Sequence, residues 1–104
     1  MKKTGIELIT DERKRQIEVE GWNSEHDAEH DNSELALAAV AYALPDNLNY
    51  ENVCGEDFER SYFFPFHHSW FKEGEGLSGR IKELVKAGAL IAAEIDRLSS
   101  LETE

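Results

Sequence analysis

The sequence predicts an all-α fold, a small three-helix domain carrying a long aromatic-rich irregular insertion. Three observations predict it. Residues 32–44 and 78–99 hold apolar side chains at helical spacing. Residues 4–20 open on a capping-box spacing and run into a glycine. Residues 45–77 keep no period of 3.6 or 2 for long, yet are dense in aromatics.

In the first helix, Thr4 and Glu7 stand three apart as a capping box, and Gly21 sits where a C-terminal cap belongs. Ile6, Ile9, Arg13 and Ile17, with Leu8 and Val19 on a neighbouring line, form a broken apolar stripe. They predict a surface helix with one buried edge. Residues 22–31 lack apolar periodicity and read as a loop. The second helix lies in "NSELALAAVAYALP", with an N-cap between Asp31 and Ser33 and Glu34 at the positive end of the dipole. Leu35, Leu37, Ala38, Val40, Ala41 and Leu44 make it apolar nearly all round, which predicts the central helix; Pro45 stops it.

The irregular stretch holds Tyr62, Phe63, Phe64, Phe66, Trp70 and Phe71, too many for a solvated loop. They are expected to fold back over the helices as a flap. In the last helix Ser78 is the expected cap, and Ile81, Leu84, Val85, Gly88, Ile91, Ala92, Ile95 and Leu98 form a one-sided stripe. Gly88 costs about 1 kcal/mol of helix propensity against alanine. Its expected return is close approach by the alanine-rich second helix.

The chain of 104 residues suits one domain, 1–104, and 40% hydrophobic content supports a packed core. No apolar run approaches the ~20 residues of a membrane span, and the start has no apolar segment of the secretory type. Cys54 is the one cysteine and forms no internal disulfide, which suits a reducing compartment. A cytoplasmic location is expected. The net charge of −11, from 22 acids against 11 bases, disfavours direct binding to nucleic acid. Such a balance keeps a small protein soluble, or forms a surface that imitates DNA.

"GWNSEHDAEHDNSE", residues 21–34, carries the densest functional chemistry. His26 and His30 share a face if helical and, with Asp27, are candidates for a metal. No CxxC or HExxH frame accompanies them. The doubled "HD" resembles metal phosphohydrolases, which draw ligands from several separated helices; His67 is the distant candidate here. Glu94 and Asp96 lie two apart on different helical faces, a poor magnesium pair. Acids around Cys54 oppose thiolate formation. No catalytic set emerges and no cofactor is implied. "EGEGLSGR" puts acids where a phosphate would sit, although Ser78, Gly79 and Arg80 could hold one at a helix start. Aromatic rings and arginines remain: Trp22 and Trp70 to stack a ring, His26 and His30 to hydrogen-bond, Arg13 and Arg80 to neutralise phosphate.

The order "ERKRQIEVEGW", an acid–histidine segment, "ELALAAVAYAL", an aromatic-Pro-aromatic stretch and "RIKELVKAGALIAAEIDRL" resembles a group of short phage and prophage proteins over nearly the whole chain. More distantly, the helix into Gly21-Trp22, the acidic turn and the Arg80…Leu84…Gly88 helix are similar to the RyR domain. The tyrosine-centred middle segment of RyR domains has no clear counterpart between Pro45 and Leu77. The likeness implies a RyR-like helical fold and a nucleotide-derived ligand.

Together these features predict a non-enzymatic phage protein that sequesters a nucleotide-type molecule, such as a host defence signal, as a homo-oligomer. Two alternatives stand beside it. One is an acidic inhibitor that binds a host defence protein, mimicking DNA before a nuclease or CRISPR complex. The other is a metal-dependent nucleotide hydrolase using His26, Asp27, His30 and His67.

Overall fold

The computed structural model describes residues 2–23, 27, 33–44, 64–66 and 74–102. Regular structure among them is all helical: α1 (Gly5–Glu18), α2 (Glu34–Ala43) and α3 (Gly76–Ser99). None of these helices is long and apolar enough to cross a membrane. His26, His30, His67, Cys54, Trp70 and most of the predicted flap lie outside the described residues.

The capping box of α1 forms as its spacing predicts. The Glu7 N–H donates to the Thr4 hydroxyl at 3.3 Å, and the Thr4 N–H donates to Glu7 Oε1 at 3.0 Å. At the other end Gly21 takes φ 75, which glycine adopts at little cost. The chain turns back there, and the Trp22 N–H donates to the Gln16 carbonyl at 2.8 Å. α2 begins after Ser33, held at φ 68 without a side-chain cap bond. α3 begins two residues before the expected Ser78, with Glu75 as its N-cap residue.

α3, not α2, is the hub: among the described helices it packs against both α1 and α2. The core between α2 and α3 is Leu35, Ala38, Ala39 and Tyr42 against Ala87, Leu90 and Ala93. Small side chains on both sides let the axes approach closely, and this overturns the expected facing of α3. The face it buries holds Gly79, Glu83, Ala87, Ala89, Leu90 and Ala93. The aliphatic stripe Ile81, Leu84, Ile91, Ile95 and Leu98 stays exposed, because its larger side chains do not fit between closely spaced helices.

α1 meets α3 through a largely polar edge. Ile6 and Val19 are exposed, Leu8, Ile9, Glu12 and Arg13 are half-buried, and Gln16 is buried. Gly88 serves this contact rather than the α2 contact the sequence suggests. A Cβ there would stand 2.5 Å from Ile9 Cδ1. Gly74 and Gly79 form a second close approach, backbone against backbone: a Cβ on Gly79 would lie 2.5 Å from the Gly74 carbonyl carbon. Buried Glu83 ties this crossing down, accepting from the Gly74 N–H at 2.9 Å and from Arg80 Nη1 at 3.3 Å.

Candidate functional site

A cavity of about 260 Å³ opens where the end of α1, the Trp22 turn, α2, α3 and the Phe64–Phe66 segment converge. Trp22, Tyr42, Phe64 and Phe66 supply aromatic walls, Ala38 and Leu90 an aliphatic floor. Phe64 meets Tyr42 and Phe66 edge-on, with ring centroids 5.9 Å and 5.5 Å apart. Phe64 and Phe66 thus pack on the helical core, the part of the expected flap that lies among the described residues. The rim is charged: Glu12, Arg15, Glu20 and Lys86.

Both backbone polar groups of Trp22 are fixed to α1. Its N–H donates to Gln16, and its carbonyl accepts from Arg13 Nη1 at 3.1 Å. Arg13 Nη2 in turn lies 2.6 Å from Asp27 Oδ2, in a pair whose side chains are 14% and 4% exposed. The "EGW…D" pattern thereby acquires a physical reading. Glycine permits the turn, tryptophan forms a wall, and aspartate locks the arginine that holds the turn.

Gln16 is 1% exposed and lines the cavity. Its Nε2 donates to Glu12 Oε2 at 3.2 Å, while Oε1 is buried with no hydrogen-bond partner among the described residues. Turning the amide over would set oxygen against carboxylate, so the acceptor is the end left over. Burial pushes the Glu12 carboxyl up, but hydrogen bonds from Arg15 and Gln16, with the charges of Arg15 and Lys86, outweigh it. Its pKa is held below the ordinary 4.5. Arg15 bonds Glu12 through Nε at 2.8 Å and Nη2 at 2.9 Å, and Glu20 through Nη1 at 2.8 Å. Those bonds raise its pKa further and hold it cationic. The Lys86 ammonium lies 5.5 Å from the Tyr42 ring centroid, a cation–π contact at the mouth. The same four charged residues line a second groove between α1 and α3, which continues past Lys82.

Of the ligand residues expected from sequence, Trp22 lines the cavity, whereas Arg13 and Arg80 sit in the frame. Arg80 Nη1 donates to the carbonyls of Tyr42 at 3.0 Å and Leu44 at 3.1 Å, and Nη2 bonds Ala43. It caps the C-terminus of α2, whose last turn has no basic residue of its own. Asp27, a metal candidate by sequence, is the buried partner of Arg13. No group of three or more metal-binding side chains gathers among the described residues.

Gln16, Tyr42 and Lys86 are cavity residues the sequence reading missed. Tyr42 had a signal, lying in helical phase with Leu35, Ala38 and Ala39. Gln16 had little: a glutamine on a charged helix reads as solvated surface. Comparison with family models, with curated proteins and with solved structures finds no match for this chain.

Proposed function

We propose that the chain is a small-molecule-binding protein whose cavity takes the ring system of a nucleoside or nucleotide. The observation that carries this reading is the cavity walled by Trp22, Tyr42, Phe64 and Phe66, with Gln16, which carries a buried acceptor, among its lining residues. A buried polar atom without a partner costs about 1–3 kcal/mol, and a ligand N–H removes that cost. A purine or pyrimidine bears such donors on its edge and offers flat faces to Trp22, Tyr42, Phe64 and Phe66. The volume falls slightly below the roughly 300–1,000 Å³ of drug-sized sites. It suits a base, with ribose and phosphate outside. The charged rim then receives the polar part, Lys86 and Lys82 facing phosphate from the adjoining groove.

The resemblance to phage proteins and to the RyR domain points the same way, toward a nucleotide-derived signal that the protein would sequester. The acids that line the cavity, Glu12 and Glu20, are both bonded to Arg15, and Lys86 lies against the Tyr42 ring. Binding is the function proposed. The described acids also pair with bases, as in Lys3–Asp11, Arg15–Glu12, Arg15–Glu20 and Arg97–Glu94. Such pairing favours a ligand pocket over a uniformly acidic docking face.

Native mass spectrometry of protein purified from cells under gentle conditions tests the proposal. A retained adduct of nucleoside or nucleotide mass is the expected result, absent from Gln16→Leu protein. Adduct-free spectra that stay so when millimolar nucleosides and nucleoside monophosphates are added would overturn it.

A further inference from the structure

The residues left outward on α3 follow a repeat. Leu77, Ile81, Leu84, Gly88, Ile91, Ile95 and Leu98 step by four and three, which is heptad spacing. The six aliphatic members are exposed, from 44% at Ile81 to 80% at Leu77. Ile9 of α1 stands over the one small member, Gly88, so the strip is not notched at its middle. A helix of 24 residues extends about 36 Å. A continuous apolar strip along such a helix is the kind of exposed patch that marks an interaction site.

We propose that this strip is the interface with a second copy of the chain, the two α3 helices pairing antiparallel. Three observations select that occupant. The spacing is the one by which two like helices interlock side chains along a shared seam, and no charged residue interrupts it. Two such strips meeting bury roughly 1,000 Å², the lower bound for a specific interface.

Charge fixes the direction. Arg80 and Glu83 neutralise one another, as do Glu94 and Arg97; the other charges of α3 are Lys82 and Lys86 in its first half and Asp96 in its second. An antiparallel copy brings unlike halves together and opposes the two helix dipoles, whereas a parallel copy sets like on like. In antiparallel register the layers are Ile81 with the other copy's Leu98 and Leu84 with its Ile95, while its Ile91 meets Ile9 where that side chain covers Gly88. The cavity opens on the far side of α3, beside Lys86 and Leu90, so pairing leaves it accessible.

Light scattering on the full chain at roughly 100 µM, well above a micromolar Kd, tests the interface. Twice the chain mass is expected for the wild type and a single chain mass for Leu84→Glu and Ile95→Glu. Both substitutions lie on exposed positions, and circular dichroism should show unchanged helix content. A monomeric wild type, or a dimer that survives both substitutions, would overturn the proposal. Direction is read by disulfide formation in a Cys54→Ser background. A mixture of Ile81→Cys and Leu98→Cys chains should cross-link, and Leu98→Cys alone should not. Cross-linking of Leu98→Cys alone would overturn the antiparallel arrangement.

Discussion

Gln16 reaches Glu12 across one turn of α1, its amide nitrogen 3.2 Å from the carboxylate, and the bond turns its oxygen away as a buried acceptor. The carboxylate can serve only as acceptor, so it takes the donor end of the amide. What remains is a buried acceptor on a residue that lines the aromatic cavity. Replacing Gln16 by leucine removes both the unsatisfied oxygen and the bond to Glu12. The two effects oppose, and unfolding free energy should change by less than about 1 kcal/mol. Chemical denaturation measures it; a loss of several kcal/mol would show that the amide is needed by the fold itself.

The Arg13–Asp27 pair should behave in the opposite manner. With side chains 14% and 4% exposed, either Arg13→Ala or Asp27→Ala removes the opposite charge from a buried ion pair. Each should cost about 3 kcal/mol. The double variant should cost clearly less than the sum, because the Arg13–Asp27 interaction is lost once rather than twice. Strict additivity in a double-mutant cycle would contradict the pairing.

Two glycines of α3 should respond differently to the same methyl group. At Gly79 the added Cβ meets the backbone of Gly74 at 2.5 Å, which cannot yield without moving the chain. Gly79→Ala should lose about 2–3 kcal/mol. At Gly88 the obstacle is the end of the Ile9 side chain, which can rotate, and alanine restores about 1 kcal/mol of helix propensity. Gly88→Ala should therefore lie within about 1 kcal/mol of wild type. Thermal unfolding of the two proteins decides it.

How much of this was legible beforehand varies by element. The capping box, the glycine turn before Trp22 and the Pro45-bounded second helix follow from local chemistry, and local chemistry is what a sequence displays. The facing of α3 does not. Its large aliphatic stripe predicts a core, but alanines on α2 demand alanines opposite, and that choice depends on two helices at once. Arg13 and Arg80 present the same difficulty. An arginine near an aromatic reads as a phosphate ligand until the carbonyls and carboxylate it serves are seen. Trp22 was legible as a wall; Gln16, masked by its polarity, was not.

Acid should loosen the cavity rim. The Glu12 carboxyl is held below its ordinary 4.5 in the folded chain. A depressed carboxyl contributes stability that is complete above the unfolded value and lost as pH falls through the folded one. Unfolding free energy should therefore decline below about pH 4.5, and Glu12→Gln should show a shallower decline. Parallel acid titrations of the two proteins by denaturant unfolding would contradict this if their slopes coincide.

Isothermal titration of wild-type and Gln16→Leu protein with a panel of nucleosides and nucleoside monophosphates puts the ligand cavity to its most direct test. At least one base-bearing compound should bind the wild type, and its affinity should fall about tenfold or more in Gln16→Leu, the loss of one buried hydrogen bond. Heats indistinguishable from dilution across the panel, or equal affinities for the two proteins, would contradict a base-binding cavity between Trp22 and Tyr42.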